Sequence, residues 1–413
     1  MRKFPLDFSE EKNKEKLLEI LKINVCNSCL GRQWGMIGHG LTNAERGKIL
    51  RDYASKLTKT ELKEPETCEL CNNFFKDGIN KIVDKIVGKI QGVEFDTFLI
   101  GTVVSDELEK KQEALWEKIG VDDVETIKSE INREVGKRIE KLTKKRFNLR
   151  NPDITIVIDL NTNAIRTQIK SLYIYGKYQK LVRGIPQTKW ICGKCKGKGC
   201  IYCKGEGKLY KTSIQEIIEA PLLKVTKSKN SSFHAAGRED VDARNLDWRP
   251  FVIELIKPLK RKIKLKDLEK KINKSKKVRV KGLKIIDNGK EIIRKLKTER
   301  VDKTYLVDVE FENRIDEKLL KNLKNVTREI IIQKTPLRVI HRRADKIRKR
   351  RVKKISYKLI GSRRMQFKIR AESGLYIKEL ITGDNGRTQP NVSDLINNKV
   401  KKLSLDVIKI HSG

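Results

Sequence analysis

Asn151-Pro152-Asp153-Ile154-Thr155-Ile156-Val157-Ile158-Asp159-Leu160-Asn161-Thr162-Asn163 is the stretch in which the chain changes its period. Before it, Val124, Ile127, Ile131, Val135, Ile139 and Leu142 step by three and four, the spacing of a long amphipathic helix. Proline cannot continue that helix, so Asn-Pro-Asp predicts its end. The apolar run from Ile154 to Leu160 then reads as a strand, and Asn161-Thr162-Asn163 as a turn into another. Further upstream, apolar residues recur at helical spacing from Glu10 to Leu21, and strand-like runs such as Phe95-Asp96-Thr97-Phe98-Leu99-Ile100 open a new domain at about Ile79. Downstream of Ser213, runs such as Val252-Ile253-Glu254-Leu255-Ile256 and Thr304 to Phe311 alternate with helices such as Ile315 to Leu323. The expected fold class is α+β and multidomain, ending in a domain built on a mixed, largely antiparallel sheet. The expected domains are 1–78, 79–190, a short hinge at 191–212, and 213–413.

All eight cysteines fall into Cys-x-x-Cys pairs: Cys26/Cys29, Cys68/Cys71, Cys192/Cys195 and Cys200/Cys203. Two such pairs supply the four thiolates of a closed tetrahedral zinc site, so two structural zinc sites are expected, one per group of four. The second group is tight, with glycines where the backbone must curl around a metal; it resembles the zinc repeats of the DnaJ chaperones and reads here as a zinc ribbon. The first is looser, with 38 residues between Cys29 and Cys68. Its support is parity more than spacing.

The charge names the partner class. With 94 Lys+Arg against 54 Asp+Glu the chain carries a net charge of +40, which favours a polyanion, and nucleic acid first. The excess is dense in Arg338 to Arg351 and in Lys257 to Lys281. No apolar run approaches the ~18 residues of a membrane span, and the N-terminus has no signal-peptide core. A cytoplasmic protein is expected, acting as a monomer and without a membrane partner. No Gly-x-Gly-x-x-Gly follows a strand and no Walker-type loop occurs, so no nucleotide cofactor is indicated.

Within the basic C-terminal half, Gly237-Arg238-Glu239-Asp240-Val241-Asp242-Ala243-Arg244 sets acids among arginines. A carboxylate whose charge is held by a nearby cation can act as a nucleophile without a cofactor. Asp240 and Asp242 both compete for that role.

The order helix, Asn-Pro-Asp, strand, turn, strand resembles the THUMP domain, an α/β module that grips tRNA, with Tyr173 to Leu181 placed as its closing strand. Gly237-Arg238-Glu239-Asp240, the strand Lys303-Thr304-Tyr305-Leu306-Val307, the basic His341-Arg342-Arg343-Ala344-Asp345, and Glu372-Ser373-Gly374-Leu375-Tyr376-Ile377-Lys378-Glu379-Leu380 together resemble the pseudouridine synthases. With Cys-x-x-Cys-Leu-Gly-Arg-Gln near the N-terminus and Gly383 to Pro390, the chain is similar over nearly its whole length to the archaeal form of the tenth pseudouridine synthase family. The resemblance implies isomerisation of uridine to pseudouridine in tRNA, at two adjacent uridines near the start of the T loop. It makes 213–413 the catalytic domain. Its Gly-Arg-x-Asp spacing selects Asp240 over Asp242 as nucleophile. Lys378 becomes the basic partner that keeps Asp240 charged, Tyr305 the ring packed on the flipped uracil and a proton carrier, and Leu380 an apolar wall. Arg238 is expected to hold the flipped state, Tyr376 to contact substrate, and Arg342 and Arg343 to meet phosphates. The chain departs from the family pattern at Asn245-Leu246-Asp247-Trp248, where a glycine-containing turn is usual and a differently running loop is expected. The alternative function is a non-catalytic, zinc-containing tRNA-binding protein.

Overall fold

The computed structural model describes residues 10–37, 40–341 and 343–411 and divides the chain into two compact units, Met1–Lys170 and Ser171–Gly413. Arg342 lies outside the described residues.

The first unit runs α1 (Glu11–Ile20), α2 (Asn27–Gly31), α3 (Asn43–Thr58), α4 (Ile79–Ile90), β1 (Thr97–Val103), α5 (Asp106–Ile119), α6 (Ile127–Thr143), β2 (Arg146–Phe147), β3 (Ile154–Asp159) and β4 (Ala164–Ile169). Helix α6 buries Ile127, Ile131, Val135 and Ile139. The strands form a sheet in the order β2-β1-β3-β4, with β1 parallel to β2 and β3, and β4 antiparallel to β3. Asp153 sets the register: one of its carboxylate oxygens accepts from the backbone N–H of Asp96 at 2.9 Å and of Thr97 at 3.1 Å, tying the start of β3 to the start of β1.

Two expectations change here. Ile79 to Ile90 is helical, because Ile79, Ile82, Val83, Ile86 and Ile90 share one buried face; their β-branched character gives a strand-like reading. Nor do residues 1–78 form a separate module. One continuous core runs from Leu17 through Cys29, Trp34 and Cys68 to Phe98, Ile131 and Ile158. A buried ion pair, Arg32 Nη1 to Glu130 Oε2 at 3.0 Å, and the bond from Trp116 Nε1 to Gln33 Oε1 at 3.0 Å join the cysteine region to α6 and α5.

The second unit contains β5 (Leu172–Lys180), α7 (Ile214–Thr226), β6 (Asn230–Ala235), β7 (Arg244–Ile256), α8 (Leu265–Asn273), β8 (Val278–Ile286), α9 (Gly289–Thr298) and β9 (Lys303–Phe311). It continues, after a 3-10 turn at Glu317–Lys324, with α10 (Asn325–Arg328), β10 (Ile331–Gln333), α11 (Leu337–Ile340), β11 (Arg348–Arg350), β12 (Val352–Gly361), β13 (Arg364–Ala371), α12 (Ile377–Thr382), β14 (Thr388–Gln389), α13 (Val392–Leu395) and β15 (Val400–Ile410). The large sheet has the order β12-β13-β9-β15-β7-β5-β8, with β6 also on β7. It is mixed and largely antiparallel: the parallel step is the short β15/β7 pairing, Asp406 to Arg244 and Val407 to Asn245. One apolar cluster lies with β9, β13, β15 and α12, another with β5, β7, α7 and α8.

Strand β5 is thus not the closing strand of the first unit. It pairs antiparallel with β7 and β8, and the boundary expected near 190 falls at Lys170/Ser171. The physical reason is one wholly buried face: Leu172, Ile174 and Tyr178 pack into the apolar cluster of β7, α7 and α8, all in the second unit. Asn245 to Trp248 is not a loop either. It begins β7 as a bulge, where the register with β5 jumps from Tyr178/Arg249 to Lys180/Asn245. None of the four residues takes a positive φ, so no glycine is needed there.

Candidate active site

The segment between β6 and β7 carries Asp240, and buried polar groups pin it from behind. Lys180, at the end of β5 and fully buried, donates from Nζ to the carbonyl oxygens of Asp240 at 3.0 Å and Val241 at 2.8 Å. Burial pushes its pKa down to about 8; neutral or charged, the amine keeps the two N–H donors this job requires. Gln187 Nε2 donates to Gly237 O at 3.0 Å and Arg249 Nη1 to Ala236 O at 2.9 Å. Arg183 Nη1 donates to Asp242 O at 2.9 Å and to Leu405 O at 2.7 Å, fastening the loop to β15. Gly237 has φ +75°, so the glycine of Gly-Arg-Glu-Asp is demanded by its backbone conformation.

Glu239 points the other way. It is buried with Arg249, Nε to Oε2 at 3.3 Å, both side chains 1% exposed, and accepts from Tyr178 Oη at 3.1 Å. Glu239 therefore anchors the loop, while Asp240 faces the open side.

That side is a cavity of about 330 Å³ lined by Asp240, Arg238, Tyr305, Lys303, Arg338, Arg343, Tyr376 and Lys378, with Val339, Leu375, Ile377, Leu405 and Val407 among its apolar walls. Arg338, on α11, grips both oxygens of Asp240: Nη1 to Oδ1 at 3.2 Å and Nη2 to Oδ2 at 3.0 Å. Its Nε donates to Glu379 Oε1 at 2.6 Å. Burial alone would lower the guanidinium's pKa; Glu379 and Asp240 raise it instead, so Arg338 is a fixed cation.

Lys378 pairs with both acids. Its Nζ is 3.6 Å from Asp240 but 2.6 and 2.7 Å from the two oxygens of Asp242. Asp242 is outside the lining of this cavity, with its side chain 66% exposed. The geometry thus separates the two rival acids: Asp240 enters the cavity, held by Arg338 and within ion-pair reach of Lys378, and Asp242 stays outside its lining.

Tyr305 lies on β9 at the cavity wall, 9% exposed. Burial pushes its pKa up to about 12, with the charge of Asp240 adding and Arg249 opposing. It is a neutral phenol at physiological pH, offering a ring face and a hydroxyl. Lys303 is pushed down to about 8 by burial and by the charge of Arg249, against the pull of Glu239. Tyr376 accepts from Arg343 Nη1 at 2.5 Å, and the guanidinium carbons of Arg348 and Arg338 lie 5.5 and 5.9 Å from its ring centre. Its backbone is fixed by buried Gln333, which donates to Tyr376 O at 3.0 Å and accepts from its N–H at 2.8 Å. Leu380 is no cavity wall. It lies fully buried in the core behind α12, and Ile377, three residues earlier, is the residue of that helix in the apolar wall.

The eight thiols form two groups of four, each with all its sulfur atoms within 4.8 Å of one another. Four sulfurs at ~2.3 Å from a tetrahedral zinc are about 3.8 Å apart. The separations match: Cys26 to Cys71 3.7 Å, Cys192 to Cys200 3.9 Å, Cys195 to Cys203 3.8 Å and Cys200 to Cys203 3.7 Å. Backbone N–H groups of Gly199, Cys200 and Gly207 point at the second group's sulfurs at 3.2 Å, as thiolate ligands require. Both donor sets fit zinc.

Reading the sequence singled out neither Arg338 nor Lys180, nor the pair Glu239 and Arg249, as site residues. Lys180 ends a strand pattern and Arg338 opens a dense basic run, and in neither place does the residue type mark burial or a partner.

A family model described as Pus10, C-terminal, matches residues 173–411, and one described as Pus10 THUMP domain, archaeal, matches residues 82–159. The tRNA pseudouridine synthase Pus10 of Methanothrix thermoacetophila is 37% identical, with 95% of this chain and 93% of the relative covered. That of Archaeoglobus fulgidus is 40% identical, covering 94% of this chain and 100% of the relative. That of Methanocaldococcus jannaschii is 39% identical, covering 96% and 94%. The C-terminal match begins within β5, the strand that the fold assigns to the second unit. With both units matched by models of one family and the similarity running over nearly the whole length, this chain belongs to the Pus10 family of tRNA pseudouridine synthases.

Proposed function

We propose that this protein isomerises uridine to pseudouridine at the start of the tRNA T loop, with Asp240 as nucleophile. The observation that carries this reading is the cavity that Asp240 shares with Tyr305, in which Arg338 holds both carboxylate oxygens. The reaction breaks the bond from ribose C1′ to N1 of uracil and forms one from C1′ to C5. C5 gives up its proton and N1 gains one, so the formula is unchanged and neither oxidant nor nucleotide is consumed. A carboxylate attack on the sugar–base unit splits this exchange into two easier steps. The target base must leave its stack to enter the cavity, at a cost of a few kcal/mol that phosphate contacts offset. Arg238 and Arg343 on the cavity wall suit those contacts.

The THUMP match at 82–159 and the names of the relatives support tRNA as substrate. Among the described residues no helix is long and apolar enough to cross a membrane, and paired free thiols suit the reducing cytoplasm. Nucleoside-resolved mapping of a tRNA transcript incubated with the protein is expected to show pseudouridine at the two adjacent uridines opening the T loop. Product confined to other positions overturns the T-loop assignment; binding without product supports the non-catalytic alternative.

Each group of four cysteines would hold one zinc, which would lock its loops without entering the reaction. Mass spectrometry is expected to count two zinc ions per chain, and one after Cys192→Ser/Cys200→Ser. A count of two in that variant removes the second site.

A further inference from the structure

The cysteine ribbon at 191–212 lies beside the catalytic loop, and its two arms present aromatic rings. The arms are zipped by Leu209 N–H to Trp190 O at 2.8 Å and Cys192 N–H to Gly207 O at 2.9 Å, with Ile191 bridged to Lys208. This closure sets Trp190 and Tyr210 edge to face, ring centres 5.3 Å apart at 84°, both half-exposed. A second cavity, of about 380 Å³, lies between these rings and the Asp240 loop. It shares Arg238, Glu239, Asp240, Arg338 and Lys378 with the catalytic cavity, and Asp242, paired to Lys378, and His341 also face it.

Aromatic rings carry nucleobases by stacking, and adjacent cations carry the connecting phosphate. Two cavities that meet at Asp240 suit two neighbouring nucleotides of one strand. We propose that Trp190 and Tyr210 form a base-stacking subsite for the unpaired nucleotide next to the target uridine, so that the ribbon clamps the flanking residue while the target lies against Asp240. The proposal rests on the RNA-isomerase reading above. It gives the ribbon a direct part in substrate binding.

The test uses the full chain and tRNA transcripts carrying 2-aminopurine immediately 5′ or 3′ of the target. Stacking worth ~1–3 kcal/mol per base corresponds to a roughly 5- to 150-fold rise in KM for Trp190→Leu or Tyr210→Leu, with kcat little changed. These leucines keep apolar bulk and lose the stacking face; zinc content and melting temperature are measured alongside. Trp190→Phe is expected to recover much of the affinity. In at least one transcript, wild-type protein is expected to quench 2-aminopurine and the leucine variants to relieve the quenching. A wild-type protein that makes no pseudouridine would sink the isomerase reading while leaving the fluorescence comparison to decide the subsite. Normal wild-type turnover, with KM and fluorescence unmoved by both leucine variants, overturns the subsite alone.

Discussion

Asp240→Asn is expected to lower pseudouridine formation by on the order of 10⁴-fold or more, the scale of losing a covalent nucleophile, while tRNA affinity stays within a few-fold. Asparagine keeps the volume and accepts from one Arg338 N–H, so the loop survives; what disappears is the charge and the attacking oxygen. Asp242→Asn is the matched control. Asp242 pairs with Lys378 at the exposed rim, and an exposed ion pair worth under ~1 kcal/mol limits the loss to about fivefold. Single-turnover assays with either variant and one transcript separate the two acids. Retained product with Asp240→Asn, or abolition by Asp242→Asn alone, would reverse the assignment.

Arg249→Met is expected to destabilise the unit Ser171–Gly413 by about 3–5 kcal/mol, because it strands Glu239 in the interior without its cation. For a unit of this size that is a fall in Tm on the order of 10 °C. The guanidinium also holds Ala236 O and Asn245 Oδ1, at 2.9 and 3.1 Å, so the two ends of the catalytic loop loosen together. Glu239→Gln/Arg249→Met removes both charges and is expected to recover a substantial part of the loss, since Gln can still pair with Tyr178 Oη. Denaturant unfolding of these two variants and of Glu239→Gln alone, against the wild type, forms the cycle. A single-variant loss below about 1 kcal/mol would mean that water reaches Glu239 and that the pair is not a structural anchor.

What the sequence revealed follows from how each feature writes itself into residue order. Helix α6 and strand β3 flank a proline break and keep their periods, so both are legible. The cysteines declare their grouping by parity. The Asp240 loop shows because glycine is needed at Gly237, where φ is positive. Allegiance is harder: β5 looks the same whichever sheet it joins, and only pairing with β7 and β8 decides it. Buried cations are hardest of all. Among 94 lysines and arginines, Lys180 and Arg249 differ from surface residues only in what the fold packs against them. Lys378 was legible as a cation facing this loop, but its closest partner was not, because Asp240 and Asp242 stand two residues apart on one short loop.

The sheet order carries a consequence for the timing of assembly. Asp240 leads into β7 and Tyr305 lies on β9, and these strands are not neighbours: β15 runs between them. The strands before it can form two half-sheets, each with its own apolar cluster, yet neither holds a working site. The site closes only when the segment Val400–Ile410 slots between the halves, the most sequence-distant pairing in the unit and so a slow one to form. During synthesis a nascent chain would already carry its basic surface while still lacking chemistry, able to hold RNA before it is able to alter it.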